Sequence, residues 1–172
     1  MPTKTLMTVE EYLRTSFEDG DLEYVDGELV ERNMGEFKHG RTQLHLGRVL
    51  LDRLERLGFQ VGTDIRIRIS SSRYRIPDIA VWRPGDVGGS VPTVPPFLAI
   101  EILSPDDRMT RVKVKIDEYL SIGIEWIWII DPYERVALCY SQGNPVGSLC
   151  EVLRTENPTI EIPLAEVLAP LS

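Results

Sequence analysis

The chain has 172 residues, 27 Asp/Glu against 19 Lys/Arg, and a formal net charge of −8. That length suits one domain with a substantial core, and the acidic balance argues against broad non-specific binding to nucleic acid. No apolar run approaches the ~20 residues needed to span a bilayer. The N-terminal "MPTKTLMTVEEYL" lacks the apolar core of a secretory leader, so the expectation is a cytoplasmic protein with no membrane partner.

In chain order, "TVEE" at Thr8 to Glu11 matches a capping box and opens a short helix through Leu13. "LEYVDGELVE" reads as a hairpin around the favoured turn pair Asp26-Gly27. From His39 to Leu57 an apolar stripe at three- and four-residue spacing predicts a helix, which Gly58 is placed to end. "DIRIRIS" alternates strictly and predicts a half-buried strand. "SSRYR" reads as a turn, and "IPDIAVW" as the next strand, with Pro77 at its start or edge. "RPGDVGGSVPTVPP" is a Pro/Gly-rich loop long enough to border a site. "FLAIEIL" is a third strand, residues 110–122 a second long helix, and "EWIWII" a fourth, buried strand. "RVALCY" and "LCEVLR" form a hairpin, followed by a short segment with "LAEVL". The central order helix, strand, strand, strand, helix, strand gives an α/β fold, a mixed central sheet flanked by helices. The chain reads as a single domain over 1–172, with an N-terminal helix-hairpin extension (about 1–35) and a C-terminal hairpin and tail (about 134–172).

The two cysteines, Cys139 and Cys150, have no CxxC spacing, which argues against a zinc site. If residues 136–141 pair symmetrically with 148–153, these residues face each other. They read as two packed thiols in a reducing compartment.

One residue breaks the apolar logic. In "PPFLAIEILSPDD" the carboxylate of Glu101 sits between Ile100 and Ile102, where an ionised group costs several kcal/mol or more unless it is paired, hydrogen-bonded or bound to a metal. Asp78, inside "RIPDIAVW", repeats the pattern on the preceding strand. If the strands are neighbours, the two carboxylates converge, and a hard cation such as Mg²⁺ or Mn²⁺ takes oxygen ligands of this kind. The backbone carbonyl of Ile102 would complete the protein side. Around the following helix, at about 100° per residue, Lys115 falls inside the apolar arc between Ile122 and Tyr119, while Lys113 falls just past its edge. Lys115 is therefore the lysine that faces the carboxylates, and Lys113 reaches solvent or a phosphate. The alternative from the same residues is a satisfied ion pair between Glu101 and Lys115.

The stretch from Arg66 to Lys115 holds nine Lys/Arg against five Asp/Glu and is the basic part of an acidic chain. Arg66, Arg68, Arg73, Arg75, Arg108, Arg111 and Lys113 are candidates for phosphate contacts; a solvated charged face is the alternative.

At these residues the sequence resembles the PD-(D/E)xK nuclease superfamily. "PD" is Pro77-Asp78, and the second half is Glu101-Ile102-Leu103, with Leu103 where the usual lysine belongs. "PDIAV", "EILSP" and "KIDEYLSIGIEWIWIID", with "LEYVDGELVE" and "HGR" before them, are similar to the Uma-two family of restriction-endonuclease-like bacterial proteins. The resemblance runs from about Val9 to Tyr140. It implies a restriction-endonuclease-type core, Asp78 and Glu101 as metal ligands, and Lys115 as catalytic lysine in a K-x-x-x-Y pattern with Tyr119. It also implies that Glu23 sits near the site, against a solvated strand carboxylate as the alternative, and that His39 caps or borders it, against a surface residue.

The function expected is a metal-dependent endonuclease hydrolysing nucleic-acid phosphodiester bonds, most readily DNA, with Mg²⁺ or Mn²⁺ as cofactor. A homodimer is expected, with "EWIWII" and the C-terminal hairpin strands as an apolar surface. The alternative is a non-catalytic nucleic-acid-binding or assembly protein that keeps the nuclease fold. A non-nucleic-acid phosphodiester substrate is a third reading that no motif supports.

Overall fold

The computed structural model describes residues 6–18, 20–33 and 35–171. Residues 1–5, the start of the stretch read for a leader, lie outside the described residues. Helix α1 (Val9–Arg14) is opened by the capping box, in which the Thr8 side chain accepts from the Glu11 amide and Glu11 reaches back. Strands β1 (Glu23–Val25) and β2 (Glu28–Val30) form the expected hairpin, with positive φ at Asp26 and Gly27 for the tight turn. Helix α2 (Phe37–Leu54) runs into a 3-10 turn, Glu55–Leu57, and Gly58 ends it at φ +79°. Strands β3 (Gln60–Thr63), β4 (Ile67–Ser70), β5 (Arg73–Arg75), β6 (Ile79–Trp82) and β7 (Leu98–Ile102) precede α3 (Met109–Ser121). Then follow β8 (Trp126–Asp131), β9 (Val136–Ser141), β10 (Asn144–Leu149), β11 (Val152–Thr155), β12 (Ile160–Pro163) and α4 (Leu164–Leu168).

The central sheet has six strands in the order β10-β9-β8-β7-β6-β3. It is mixed: β7 and β8 run parallel, joined by α3 as the crossover helix, and the other pairs are antiparallel. Alternation along the strands sorts the side chains. Ile79, Val81, Leu98, Ile100 and Ile102 point to the face covered by α2 and the C-terminal elements. Ala80, Trp82 and Ala99 point to the face covered by α3. Because the side-chain period is two, Asp78 and Glu101 also fall on the α3 face. A second sheet, β2-β1-β5-β4, carries a small core of Tyr12, Tyr24 and Tyr74.

Three local expectations are corrected, and one strand is added. "SSRYR" is not only a turn: Ser71 and Ser72 turn, and Arg73–Arg75 is strand β5, paired to both β1 and β4. Its pattern is unreadable as a strand because, beside the buried Tyr74, the buried Arg75 finds its partners Glu23 and Glu118 far away in the chain. Strand β3, at one edge of the central sheet, had no sequence signal of its own. Of "LCEVLR", only Leu149 and Cys150 meet "RVALCY", and two residues out of the expected register: β9 pairs with β10, with Leu149 opposite Leu138 and Cys139 opposite Ser148, while β11 pairs with β12. Strand β8 cannot supply a docking surface, because Ile127 to Ile130 are buried between β7 and β9.

Cys139 and Cys150 are joined by a disulfide, so the expectation of two free thiols is also corrected. The cause is local. Cys139 lies opposite Ser148, and the Cys150 amide donates to the Ala137 carbonyl at 3.0 Å, which seats the residue beside β9. Strand β10 is an edge strand whose register shifts between Asn144 and Ser148, with Gly147 at φ +78° packed under the Tyr140 ring. Among the described residues no helix is long and apolar enough to cross a membrane.

The cross-link closes a loop of sequence separation 11. Chain-entropy reasoning assigns a loop of that size about 3 kcal/mol. A Cys139→Ser, Cys150→Ser double variant is expected to unfold at lower urea by that amount, and dithiothreitol should give the wild type the same midpoint.

Candidate active site

The register of β6 on β7 pairs Ile79 with Ile100 and Ala80 with Ala99. Continued by one residue, it sets Asp78 across from Glu101. Both carboxylates are buried, at 3% and 7% exposure. Two acids on one face of a sheet need compensation, and the structure brings it from several sides.

From α3, Lys115 Nζ lies 3.2 Å from Glu101 Oε2 and 2.9 Å from Glu23 Oε1. One turn further, the Tyr119 hydroxyl donates to Glu101 Oε1 at 2.5 Å. The helix presents both residues because they are four apart on the face that also buries Val112 and Ile116. From the second sheet, Glu23 is buried at 2% exposure rather than solvated. Its partner Arg75 lies opposite on β5, donating at 2.9 Å, and the Ile76 amide donates to it at 3.2 Å.

Asp78 is held from the other side. Its Oδ2 accepts the Ile102 amide at 2.7 Å. Its Oδ1 accepts Arg32 Nη2 at 2.6 Å, with His39 Nε2 at 3.3 Å. Arg32 precedes α2 and His39 stands in its first turn. Gln43, one turn on, donates to the Asp78 carbonyl at 2.8 Å and to Asp64 Oδ2 at 3.0 Å.

The electrostatics follow from this arrangement. Burial opposes the charge on Asp78, but the His39 bond and charge, Arg32 and the Ile102 amide outweigh it and hold its pKa below the usual range. Glu23 is lowered in the same way: burial raises it, and Lys115 and Arg75 more than reverse that. Glu101 goes the other way. Burial dominates, Lys115 only partly offsets it, and Asp78 and Glu23 add repulsion, so its pKa is pushed up to about 7. Burial works against the Lys115 ammonium, yet Glu101 and Glu23 raise its pKa and keep it charged. His39 is penalised by burial and raised overall by Asp78.

Asp78, Glu101, Lys115 and Glu23 are thus brought together, with His39 at their border. The cationic candidates divide. Arg75 is buried and committed to Glu23 and Glu118. Arg73 pairs with Asp26 and Glu118. Arg66 donates to the Tyr12 and Thr15 carbonyls and to Asp21, and lies over the Tyr12 ring. All three are engaged in ion pairs or carbonyl contacts within the fold. Lys113 pairs with Asp117 at the surface, and Arg68, Arg108 and Arg111 are exposed. Arg32 and Gln43 were missed by sequence reasoning. Gln43 lies four residues after His39, the one available signal; Arg32 has no periodic signal. Among the described residues no group of three or more His, Cys, Asp or Glu side chains is arranged to hold a metal ion.

A mixed sheet with a parallel crossover, and with two acids and a lysine gathered at β6, β7 and α3, defines a restriction-endonuclease-like α/β protein. The chain belongs to the Uma2 family, whose model, described as "Putative restriction endonuclease", matches residues 9–170. It is similar to a crystal structure from Anabaena variabilis described as a "putative nuclease belonging to DUF820". That likeness has a TM-score of 0.82 at 21% identity, over 96% of this chain and 99% of the other. No curated protein matches the chain.

The Glu101 shift has a stability consequence of fixed sign. In the unfolded chain a glutamate loses its proton near its ordinary value of 4.5, whereas Glu101 in the fold keeps its proton up to about 7. Between those values the unfolded state binds fewer protons, so stability falls as pH rises through the window and levels off above it. Glu101→Gln removes this slope. From pH 4.5 to pH 8, wild type should lose about 3 kcal/mol relative to the variant, measured by urea unfolding at each pH.

Proposed function

We propose that the chain is a divalent-metal-dependent endonuclease of the PD-(D/E)xK type, acting on nucleic acid and most readily on DNA, with the lysine supplied by α3. The observation that carries this reading is the convergence of Asp78 and Glu101 on one buried face with Lys115 bridging from the crossover helix. The family description supports nuclease chemistry.

The donor set suits magnesium or manganese. Mg²⁺ takes one or two carboxylates from a protein and fills its other positions with water and substrate phosphate. Asp78 and Glu101 fit that demand, and the Ile102 carbonyl is the proposed backbone donor. Burial is the main cause that raises Glu101, and the repulsion that Asp78 adds to it is what a bound cation would relieve. When bound, such a cation polarises the phosphate and lowers the pKa of a water. Lys115, kept positive by Glu101 and Glu23, would hold the attacking water or face the charge that develops on the phosphate. Glu23 acts through Lys115 and is a positioning residue. Arg68, Arg108, Arg111 and Lys113 remain the candidates for phosphate contacts, and such contacts make binding salt-dependent. A two-fold pair of chains would present one site to each strand of a duplex.

One observation favours the second reading, a nucleic-acid-binding or assembly protein without turnover. Each buried acid already has an internal cation: Asp78 has Arg32, and Glu101 and Glu23 share Lys115. A cleavage assay separates the two. Supercoiled plasmid, single-stranded DNA and RNA are incubated with the protein in Mg²⁺, Mn²⁺ or EDTA. Cleavage is expected with either metal and not with EDTA, and a fall of about 100-fold or more is expected in Asp78→Asn and Glu101→Gln. Nucleic-acid binding by folded wild type with no cleavage in either metal would favour the second reading.

A further inference from the structure

Arg32 stands on the irregular stretch between β2 and α2 and holds two acids at once. Nη2 donates to Asp78 Oδ1 at 2.6 Å, and Nη1 donates to Asp64 Oδ1 at 2.7 Å. The two acids differ in surroundings. The Asp78 side chain is 4% exposed and the Asp64 side chain 40%. Asp64 is fixed independently of Arg32: Gln43 donates to its Oδ2, and its amide donates to the Asp78 carbonyl at 3.3 Å.

This asymmetry defines a direction of release. If the guanidinium leaves Asp78, it keeps Asp64, and its freed end turns toward the wetter side of the bridge. Asp78 is then left bare, which is costly for a buried carboxylate without a counter-charge, so the released state is a minor one that needs a second cation to become dominant. His39, at 3.3 Å from the same oxygen, is a weaker and titratable partner and does not remove that need. The Ile102 amide occupies the other oxygen, so Oδ1, the oxygen Arg32 holds, is the one open to exchange.

We propose that Arg32 is a built-in counter-cation that occupies Asp78 until a divalent cation displaces it, after which Arg32 stays anchored to Asp64. The proposal rests on the metal-dependent reading of the site. It makes Arg32 a positioning residue whose removal strengthens metal binding, whereas an arginine that merely orders Asp78 would weaken binding on removal. The reason is population arithmetic: apparent metal affinity is intrinsic affinity reduced by the fraction of molecules in which Asp78 is released.

The test is calorimetric titration of the full chain with Mn²⁺, at fixed pH and salt, for wild type, Arg32→Gln and Asp64→Asn. Arg32→Gln is expected to bind Mn²⁺ about ten-fold or more tightly, as for an arginine that holds Asp78 about nine-tenths of the time. Its thermal midpoint is expected to lie below that of wild type without metal and to rise more on adding Mn²⁺. Asp64→Asn removes the anchor, so Arg32 clings to Asp78, and Mn²⁺ binding is expected to weaken several-fold. Equal or weaker binding by folded Arg32→Gln, with wild type binding, overturns the proposal and leaves the metal reading standing. Absence of binding in both overturns both. Should Arg32→Gln not fold, Asp64→Asn decides: unchanged or tighter binding overturns the proposal.

Discussion

A carboxylate that leaves water gives up its hydration, and Asp78 and Glu101 do so opposite each other on one face of the central sheet. That debt organises the surrounding structure. Lys115 and Tyr119 come from α3, Arg32 and His39 from the entry to α2, and Glu23 with Arg75 from the second sheet. Elements far apart in the chain are joined at one point by charge, while the apolar side chains would tolerate several ways of packing them. Buried ion pairs are costly to assemble and costly to break, which makes such a cluster a poor device for raw stability and a good one for fixing geometry.

The cluster also extends to the surface. Lys115 meets Glu23, Glu23 meets Arg75, Arg75 meets Glu118, Glu118 meets Arg73, and Arg73 meets Asp26 in the β1–β2 turn. Glu118 and Lys115 share α3, so the chain of charges returns to the helix from which it began. The second sheet is thereby tied to the position of Lys115. Charges in contact polarise and constrain one another, and effects of substitutions along this series will not add.

The parts legible in the sequence were those with local causes. The Thr8 box, the Asp26-Gly27 turn, the end of α2 at Gly58 and the helical wheel that turns Lys115 inward all depend on residues a few positions apart. The Glu101 anomaly was visible because it interrupts an apolar run. Charged residues with distant partners were not legible. Arg73 and Arg75 read as turn residues and candidates for phosphate contacts because Glu23 and Glu118 lie more than 40 residues away. Arg32 gave no sign because its partners Asp64 and Asp78 become neighbours only once β6 is seated on β3 and β7. The disulfide was visible as a juxtaposition of two cysteines, but the usual rule for a reducing compartment pointed to free thiols.

Strand β10 ends the central sheet, and an edge strand is a row of unpaired donors and acceptors on which another copy of the sheet can grow. Here that row is spoiled twice. Pro145 has no amide hydrogen to offer, and the shifted register with Gly147 in a left-handed conformation bends the strand out of a flat ladder. Val146 and Leu149 are exposed on it, a combination of edge and apolar side chains that would otherwise invite fibre-like stacking. The kink and the missing amide hydrogen therefore oppose growth of the sheet at the place where its exposed apolar side chains sit.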